Sequence, residues 1–248
     1  MESIAGTLTQ QDIQQSIQQA QQIAASAAPI VQSGQFVFFA AFDGTENDRN
    51  DLVESGTTQW TNVAQLEYQV ANQNTGNSNV QSKYYPGPGT DGSLPGSEAL
   101  PWQVTQEAIN TANQAYSDFA EAASLWLSAN PNGSITTMVT GFSRGGAPAA
   151  LFSQMLFEQG LVDPDTNTVL MPPGQVGVSG ALLFDPVLIG VSGNMDFAPN
   201  ADNITVVRAM DEFRYLFPAA EYNDPRINYI DFYGNHGDVG GFYDQGQL

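Results

Sequence analysis

The residues best suited to chemistry are Gly141, Ser143 and Gly145, which form a G-x-S-x-G pattern. An apolar segment typical of a strand precedes the pattern, and a segment typical of a helix follows it. In such a turn the serine takes a strained backbone conformation, and side chains in place of the glycines would clash with the adjoining strand and helix. The pattern therefore predicts a nucleophilic Ser143. The alternative is an ordinary strand-to-helix turn with a solvated serine.

A serine nucleophile needs a base that takes its proton and an acid that orients the base. The chain contains one histidine, His236, in a glycine-rich stretch after the last predicted strand. Parallel sheets build their sites at the carboxyl ends of strands, so His236 is predicted to be the base. Asp185 directly follows an apolar run and is the predicted acid, although it is also suited to capping a turn. Asp211 is the alternative acid, and Asp238 is a candidate for orienting the histidine loop.

Acyl transfer also requires two N–H groups that bind the negative oxygen of the intermediate. The first is predicted to be the backbone N–H of Arg144, which follows the serine. The second is predicted to be the N–H of Asp43 or Gly44, in the loop after the first strand. The Asp43 side chain is alternatively suited to holding this loop or the Arg144 guanidinium. We expect neither a metal nor a cofactor; calcium at the acidic loop is a weaker alternative, because Asp48 occupies the position that an EF-hand reserves for glycine.

The elements that must position these residues alternate between strands and helices. This alternation predicts an α/β fold with a mostly parallel sheet between helical layers. The predicted strands are 35–42, 81–85, 135–140, 176–184, 203–209 and 227–232, and the predicted helices are 61–71, 101–129 and 145–159. Residues 1–30 are rich in glutamine and are predicted to form an amphipathic helix or arm, while 31–248 form the catalytic domain.

Charge and composition exclude several classes of function. Against 26 acidic residues the chain has 6 basic ones, a net charge of −20, so we expect no binding to nucleic acid. It has no apolar stretch of about 18 residues and no basic, apolar start, so we expect neither a transmembrane segment nor a signal peptide. Cysteine is absent, which excludes disulfides and a thiolate nucleophile.

Several segments, in one order, resemble the catalytic domain of type VI secretion lipase effectors, a group of α/β hydrolases with a G-F-S-R-G elbow. These segments are 42–47, 61–66, 84–92, 141–145, 184–187, 210–217 and 236–241. The chain departs from the family pattern at Gly146, where alanine is usual. It also departs at 184–187, where Phe-Asp-Pro-Val replaces Trp-Asp-Thr-Val.

The resemblance implies an α/β-hydrolase fold and a serine esterase that acts on phospholipids. It places the family's catalytic triad on Ser143, Asp185 and His236. It also implies a protein made in the bacterial cytoplasm and exported by a secretion-apparatus carrier. Such a protein would act at the envelope of a rival cell and be neutralised by an immunity protein.

Two other functions are compatible with the residues. One is a catalytically silent protein of hydrolase fold, whose acidity and glutamine-rich segment serve partner docking. The other is an esterase that acts on non-lipid esters, because the elbow does not encode the acyl group.

Overall fold

The structure, a computed structural model, describes residues 34–52, 59–90, 101–211 and 219–241. Of the predicted N-terminal arm it describes six glutamines, at positions 10, 11, 14, 15, 18 and 21, all helical and exposed. The rest of residues 1–30, and parts of segments 84–92 and 210–217, lie outside the described residues.

Six parallel strands form the main sheet. They are β1 (Gln35–Phe42), β2 (Val80–Tyr85), β3 (Ser134–Phe142), β6 (Gly177–Phe184), β7 (Ile204–Ala209) and β8 (Asn228–Phe232). Their order across the sheet is β2-β1-β3-β6-β7-β8, so the chain leaves β1 toward one edge and then returns past it toward the other. The direction reverses between β1 and β3, and open α/β sheets bind ligands at the carboxyl ends of strands beside such a reversal.

Helices cover both faces of the sheet. They are α1 (Asn62–Gln73), α2 (Pro101–Ala129), α3 (Gly146–Gln159) and the short α4 (His236–Gly240). α2 and α3 pack on one face, through Phe119 and Phe152 among others, and α1 and α4 pack on the other, through Val63 and Val239. This arrangement is the predicted α/β-hydrolase fold. Among the described residues, no helix is both long and apolar enough to cross a bilayer.

β1 is almost continuously apolar because the sheet is buried on both faces. Phe38 and Phe42 face α2 and α3, while Phe39 and Ala41 face α1. Each fully buried phenylalanine contributes about 2 to 3 kcal/mol through burial. β1 therefore anchors both layers, and its carboxyl end is a fixed point from which the next loop begins.

The structure corrects three predictions of local structure. β3 continues two residues beyond the predicted strand, because Gly141 and Phe142 still pair with β6. The segment after α3, in which the sequence predicts neither a strand nor a helix, contains an antiparallel hairpin of β4 (Leu161–Val162) and β5 (Val169–Met171). The histidine stretch, also predicted as a loop, begins a short helix. The hairpin strands and α4 are too short to show a hydrophobic period, so the pattern held no signal for them.

Candidate active site

Ser143 lies in a sharp turn between β3 and α3, at the carboxyl edge of the sheet. Its φ is 52°, a left-handed value that an L-residue adopts at a cost of about 1 to 3 kcal/mol. The N–H of Val187 donates to the Ser143 carbonyl over 3.0 Å, which ties the turn to the neighbouring loop. Ser143 is 8% exposed, so its hydroxyl is largely shielded from water.

The glycines of the turn are required by close backbone contacts. A Cβ added to Gly145 would lie 2.2 Å from the carbonyl oxygen of Phe42 and 2.6 Å from that of Asp43. A Cβ added to Gly141 would lie 2.8 Å from the carbonyl oxygen of Gly145. The turn therefore packs directly against the end of β1, at a distance that only glycine permits.

Gly146 and Pro186, at which the chain departs from the effector pattern, touch each other. A Cβ on Gly146 would lie 2.8 Å from the Cβ of Pro186, closer than two such carbons can approach. The missing side chain at position 146 thus makes room for the proline that follows Asp185.

His236 and Asp185 form a buried pair. The Nδ1 atom of His236 and the Oδ2 atom of Asp185 are 2.6 Å apart. The imidazole also packs against Phe142, the residue before the serine, with ring centroids 4.7 Å apart. The three predicted residues, Ser143, Asp185 and His236, therefore converge at one edge of the sheet.

Asp185 is held by the end of β7 as well as by the histidine. Its backbone N–H donates to the Val207 carbonyl over 2.7 Å, and its Oδ1 accepts the Ala209 N–H over 3.0 Å. Asp185 has a φ of 39° and is completely buried. The second carboxylate oxygen is consequently fixed toward His236, where it can orient the imidazole and stabilise its protonated form.

The alternative acid, Asp211, is exposed, and its Oδ2 accepts the N–H of Gly234, two residues before His236. Asp238 contributes as the sequence suggested, since its carboxylate accepts the Asn235 N–H while the Asn235 side chain caps α4. This capping box fixes the residue immediately before His236.

Asp43 is the other buried carboxylate at this edge. Its Oδ1 accepts the Gly44 N–H over 2.8 Å, and its Oδ2 accepts the hydroxyls of Thr61 and Tyr84, each over 2.7 Å. Burial raises the pKa of Asp43 from 3.8 to about 6, and the three hydrogen bonds partly offset that rise. The Asp43 side chain was predicted to hold either this loop or the Arg144 guanidinium. These three hydrogen bonds hold the loop, and none of them involves Arg144.

The two N–H groups predicted as the second oxyanion donor both have hydrogen-bond partners within the protein. The Asp43 N–H donates to the Tyr85 carbonyl, as the pairing of β1 with β2 requires, and the Gly44 N–H is taken by the Asp43 side chain. Glu46 and Asn47 also donate their N–H groups, to the carbonyls of Pro88 and Gly44. Within the described part of the chain, the Thr45 N–H has no hydrogen-bond partner. Thr45 directly follows Gly44, which packs against Ser143.

Sequence reasoning missed Thr45, Thr61 and Tyr84. The sequence did carry a partial signal: Tyr84 lies at the carboxyl end of β2, level with the end of β1, and Thr61 is the N-cap of α1. Among the described residues, no three acidic or histidine side chains are grouped as metal ligands.

No family model and no curated protein matches the sequence. Among solved structures, the chain is similar to an uncharacterized protein from Pseudomonas aeruginosa, with a TM-score of 0.55 and 17% identity, over 98% of this chain and 46% of that one. It is also similar to a protein from Xanthomonas campestris pv. campestris, named as a candidate hydrolase of the α/β superfamily (TM-score 0.45, 19% identity, 84% and 90% of the two chains). A third similar structure is that of esterase PE8, with a TM-score of 0.40 and 12% identity over 82% of this chain and 83% of that one.

The chain thus spans less than half the length of the Pseudomonas protein. At these identities the similarity shows the fold alone. The strand order and helix placement described above are those of an α/β fold with a parallel sheet between helices.

Gly145 and Gly177 provide a test of the close contact between the turn and β1. We expect Gly145→Ala to lower the free energy of unfolding by about 2 kcal/mol or more, because its Cβ would overlap two carbonyl oxygens. Gly177→Ala is the matched control, since a Cβ there meets no atom closer than 3.9 Å. Urea denaturation measures both, and equal stabilities for the two variants would contradict the contact.

The raised pKa of Asp43 predicts a stability effect with a definite sign. The folded protein binds this proton more tightly than the unfolded chain, so the stabilisation is complete below pH 3.8 and is lost as the pH rises through about 6. Asp43→Asn lacks this titration. Between about pH 4 and pH 7 we expect the wild type to lose about 2 kcal/mol of unfolding free energy relative to the variant. Urea denaturation measures the unfolding free energy of both proteins at both pH values. An equal difference between the two proteins at both pH values would show that the pKa of Asp43 is not raised.

Proposed function

We propose that the protein is a serine ester hydrolase. The observation that carries the proposal is the contact of His236 with the buried Asp185 on one side and with Phe142, adjacent to the strained Ser143, on the other. An acid fixed on a base, beside a serine held in a left-handed turn, is the arrangement that acyl transfer requires.

In the first half of the reaction, the Ser143 hydroxyl oxygen attacks the carbonyl carbon of the ester. The Nε2 atom of His236 takes the hydroxyl proton, while Asp185 keeps Nδ1 protonated and stabilises the imidazolium. The carbonyl oxygen gains the negative charge, which the N–H groups of Arg144 and Thr45 bind. The intermediate then collapses, the alcohol leaves with the proton from Nε2, and an acyl-serine remains.

In the second half, water replaces the alcohol. His236 takes a proton from the water as the resulting hydroxide attacks the acyl-serine, and the same two N–H groups bind the new oxyanion. Collapse returns the proton to Ser143 and releases the carboxylic acid. Each cycle consumes one water and one ester, and the chain's own residues supply every proton transfer.

Phospholipids are the substrate class that we propose. The support is the resemblance to the lipase effectors, whose segments include the turn, the aspartate strand end and the histidine helix. With that substrate we also propose export by a secretion-apparatus carrier, an immunity protein as cognate partner, and action at a target-cell envelope. A non-lipid ester and a silent scaffold are the outcomes that would replace this proposal.

The catalytic roles predict a graded set of rate losses. We expect Ser143→Ala and His236→Ala each to lower kcat on a p-nitrophenyl ester by about 10⁴-fold or more. Asp185→Asn is expected to lower it by about 10³-fold, because the imidazole loses its orienting charge. Asp211→Asn, which removes the charge of the exposed alternative acid, is the matched control with near-wild-type rates. Full activity in Asp185→Asn beside an inactive Asp211→Asn would transfer the acid role.

The Thr45 N–H has a direct test. Asn47 donates to the Gly44 carbonyl across a turn in which Glu46 has a φ of 61°, the pattern of a type II turn. The second position of such a turn accepts proline, so Thr45→Pro removes the N–H from a compatible backbone. We expect a loss of about 100-fold in kcat, against less than about tenfold for Thr45→Ala, which keeps the N–H. Equal losses in two variants with wild-type circular dichroism would refute this donor.

Lipid product analysis tests the substrate class. Purified protein is incubated with phospholipid, lysophospholipid and neutral glyceride vesicles, and released fatty acid is measured by mass spectrometry. We expect release from phospholipid that Ser143→Ala abolishes. Turnover of soluble esters without any lipid release would favour a non-lipid esterase.

A further inference from the structure

We infer that Asp43 is a positioning residue for the oxyanion-binding loop, residues 43–47: its carboxylate binds the Gly44 N–H and thereby leaves the Thr45 N–H available to the substrate. The inference rests on the proposed function and deepens it. Asp43 touches no reacting atom. It acts through the backbone that follows it.

The backbone N–H groups around Thr45 are bound within the protein. A backbone N–H that is not bound within the protein is available to a substrate oxygen. The Asp43 Oδ1 atom accepts the Gly44 N–H. The N–H groups of the flanking residues, Asp43 and Glu46, donate to backbone carbonyls. Without the carboxylate, Gly44 and Thr45 would offer two competing donors with no fixed orientation.

The second step is how firmly the carboxylate itself is held. Thr61 Oγ1 donates to Oδ2 and in turn accepts the Ala64 N–H at the start of α1, so the helix end is coupled to Asp43. Tyr84 donates to the same oxygen, and burial raises the pKa of its phenol, which therefore stays a donor. Asp43 is 2% exposed. Its orientation is thus set by two separate elements, α1 and β2.

Tyr84 is itself held in place by Arg49. The Arg49 guanidinium lies 4.4 Å from the centre of the Tyr84 ring, and the backbone N–H of Arg49 donates to the Tyr84 hydroxyl. Arg49 also pairs with the buried Glu67 of α1, whose other carboxylate oxygen accepts the Ser82 hydroxyl of β2. The tyrosine is therefore packed and hydrogen-bonded on a rigid support.

The last step connects the loop to the serine. A Cβ on Gly44 would lie 3.1 Å from the Cβ of Ser143, and one on Gly87 would lie 1.5 Å from the Gly44 carbonyl oxygen. The loop is therefore held between the catalytic turn and the segment after β2. A small rotation of the Gly44 peptide changes the direction of the next N–H relative to the serine, and catalysis is sensitive to displacements on the order of 1 Å.

Two adjacent tyrosines allow a matched experiment. Tyr84→Phe removes the hydroxyl that holds Asp43 and keeps the ring under Arg49. Tyr85→Phe removes a hydroxyl that also donates to a carboxylate, but to Asp118 on the opposite face. On a p-nitrophenyl ester we expect kcat to fall about tenfold in Tyr84→Phe with KM changed by less than about twofold, and no change in Tyr85→Phe.

Asp43 itself gives a second pair. We expect Asp43→Ala to lower kcat by about 100-fold, and Asp43→Asn to restore most of the loss, because its amide oxygen can still accept the Gly44 N–H. The Gly44 amide resonance in ¹H–¹⁵N spectra reports the contact without any turnover. We expect a downfield position in the wild type and in Asp43→Asn, and an upfield shift in Asp43→Ala. If Asp43→Ala fails to fold, the tyrosine pair and Asp43→Asn still decide.

The outcomes separate this inference from the proposed function. A wild type that hydrolyses no ester removes the proposed function, and the inference with it. An active wild type beside indistinguishable Tyr84→Phe and Tyr85→Phe variants overturns the inference alone. So does Asp43→Asn with the same loss as Asp43→Ala, because positioning by hydrogen bond would then be excluded.

Discussion

The close approach of two backbones, at the end of β1 and at the turn after β3, is the constraint on which the rest of the site depends. Gly145 lies against the carbonyl oxygens of Phe42 and Asp43, and Gly44 lies against Ser143. These contacts leave no room for side chains, so they fix the turn and the loop as one unit. Because β1 and β3 are adjacent parallel strands at the reversal point of the sheet, the unit opens at the edge where ligands bind.

A second feature is how the site accommodates buried negative charge in a chain with a net charge of −20. Each of three buried carboxylates has its own partners: Asp185 has His236, Asp43 has two hydroxyls and a backbone N–H, and Glu67 has Arg49. An unpaired buried carboxylate would be strongly destabilising. The partners therefore make the burial of these charges tolerable, and the strand order places Asp43 and Asp185 on either side of Ser143.

The sequence predicted the fold well where burial alone determines an element. β1 and α2 match their predicted bounds residue for residue, because a continuous apolar run and an Asn-Pro stop mark their ends. The order of serine, aspartate and histidine at strand ends was also readable. The structure brings Asp185 and His236 into contact and places them at the same edge of the sheet as Ser143, because parallel strands end at one edge.

What the sequence could not predict depends on pairing between distant segments. The N–H of Asp43 is bound because β1 pairs with β2 in one register, and nothing near residue 43 encodes that register. Our proposal of Thr45, rather than Asp43 or Gly44, as the donor rests on those bonds. The helix at His236 was missed for a different reason, since five residues are too few to show a period.

Labelling with a fluorophosphonate, followed by peptide mass spectrometry, shows whether Ser143 is an activated nucleophile. The probe reacts only with a serine activated by a base and an oxyanion site. We expect one adduct, on Ser143, which is lost in His236→Ala although that variant keeps its serine. A folded wild-type protein that takes up no probe, or carries it on another residue, would exclude Ser143 as the nucleophile.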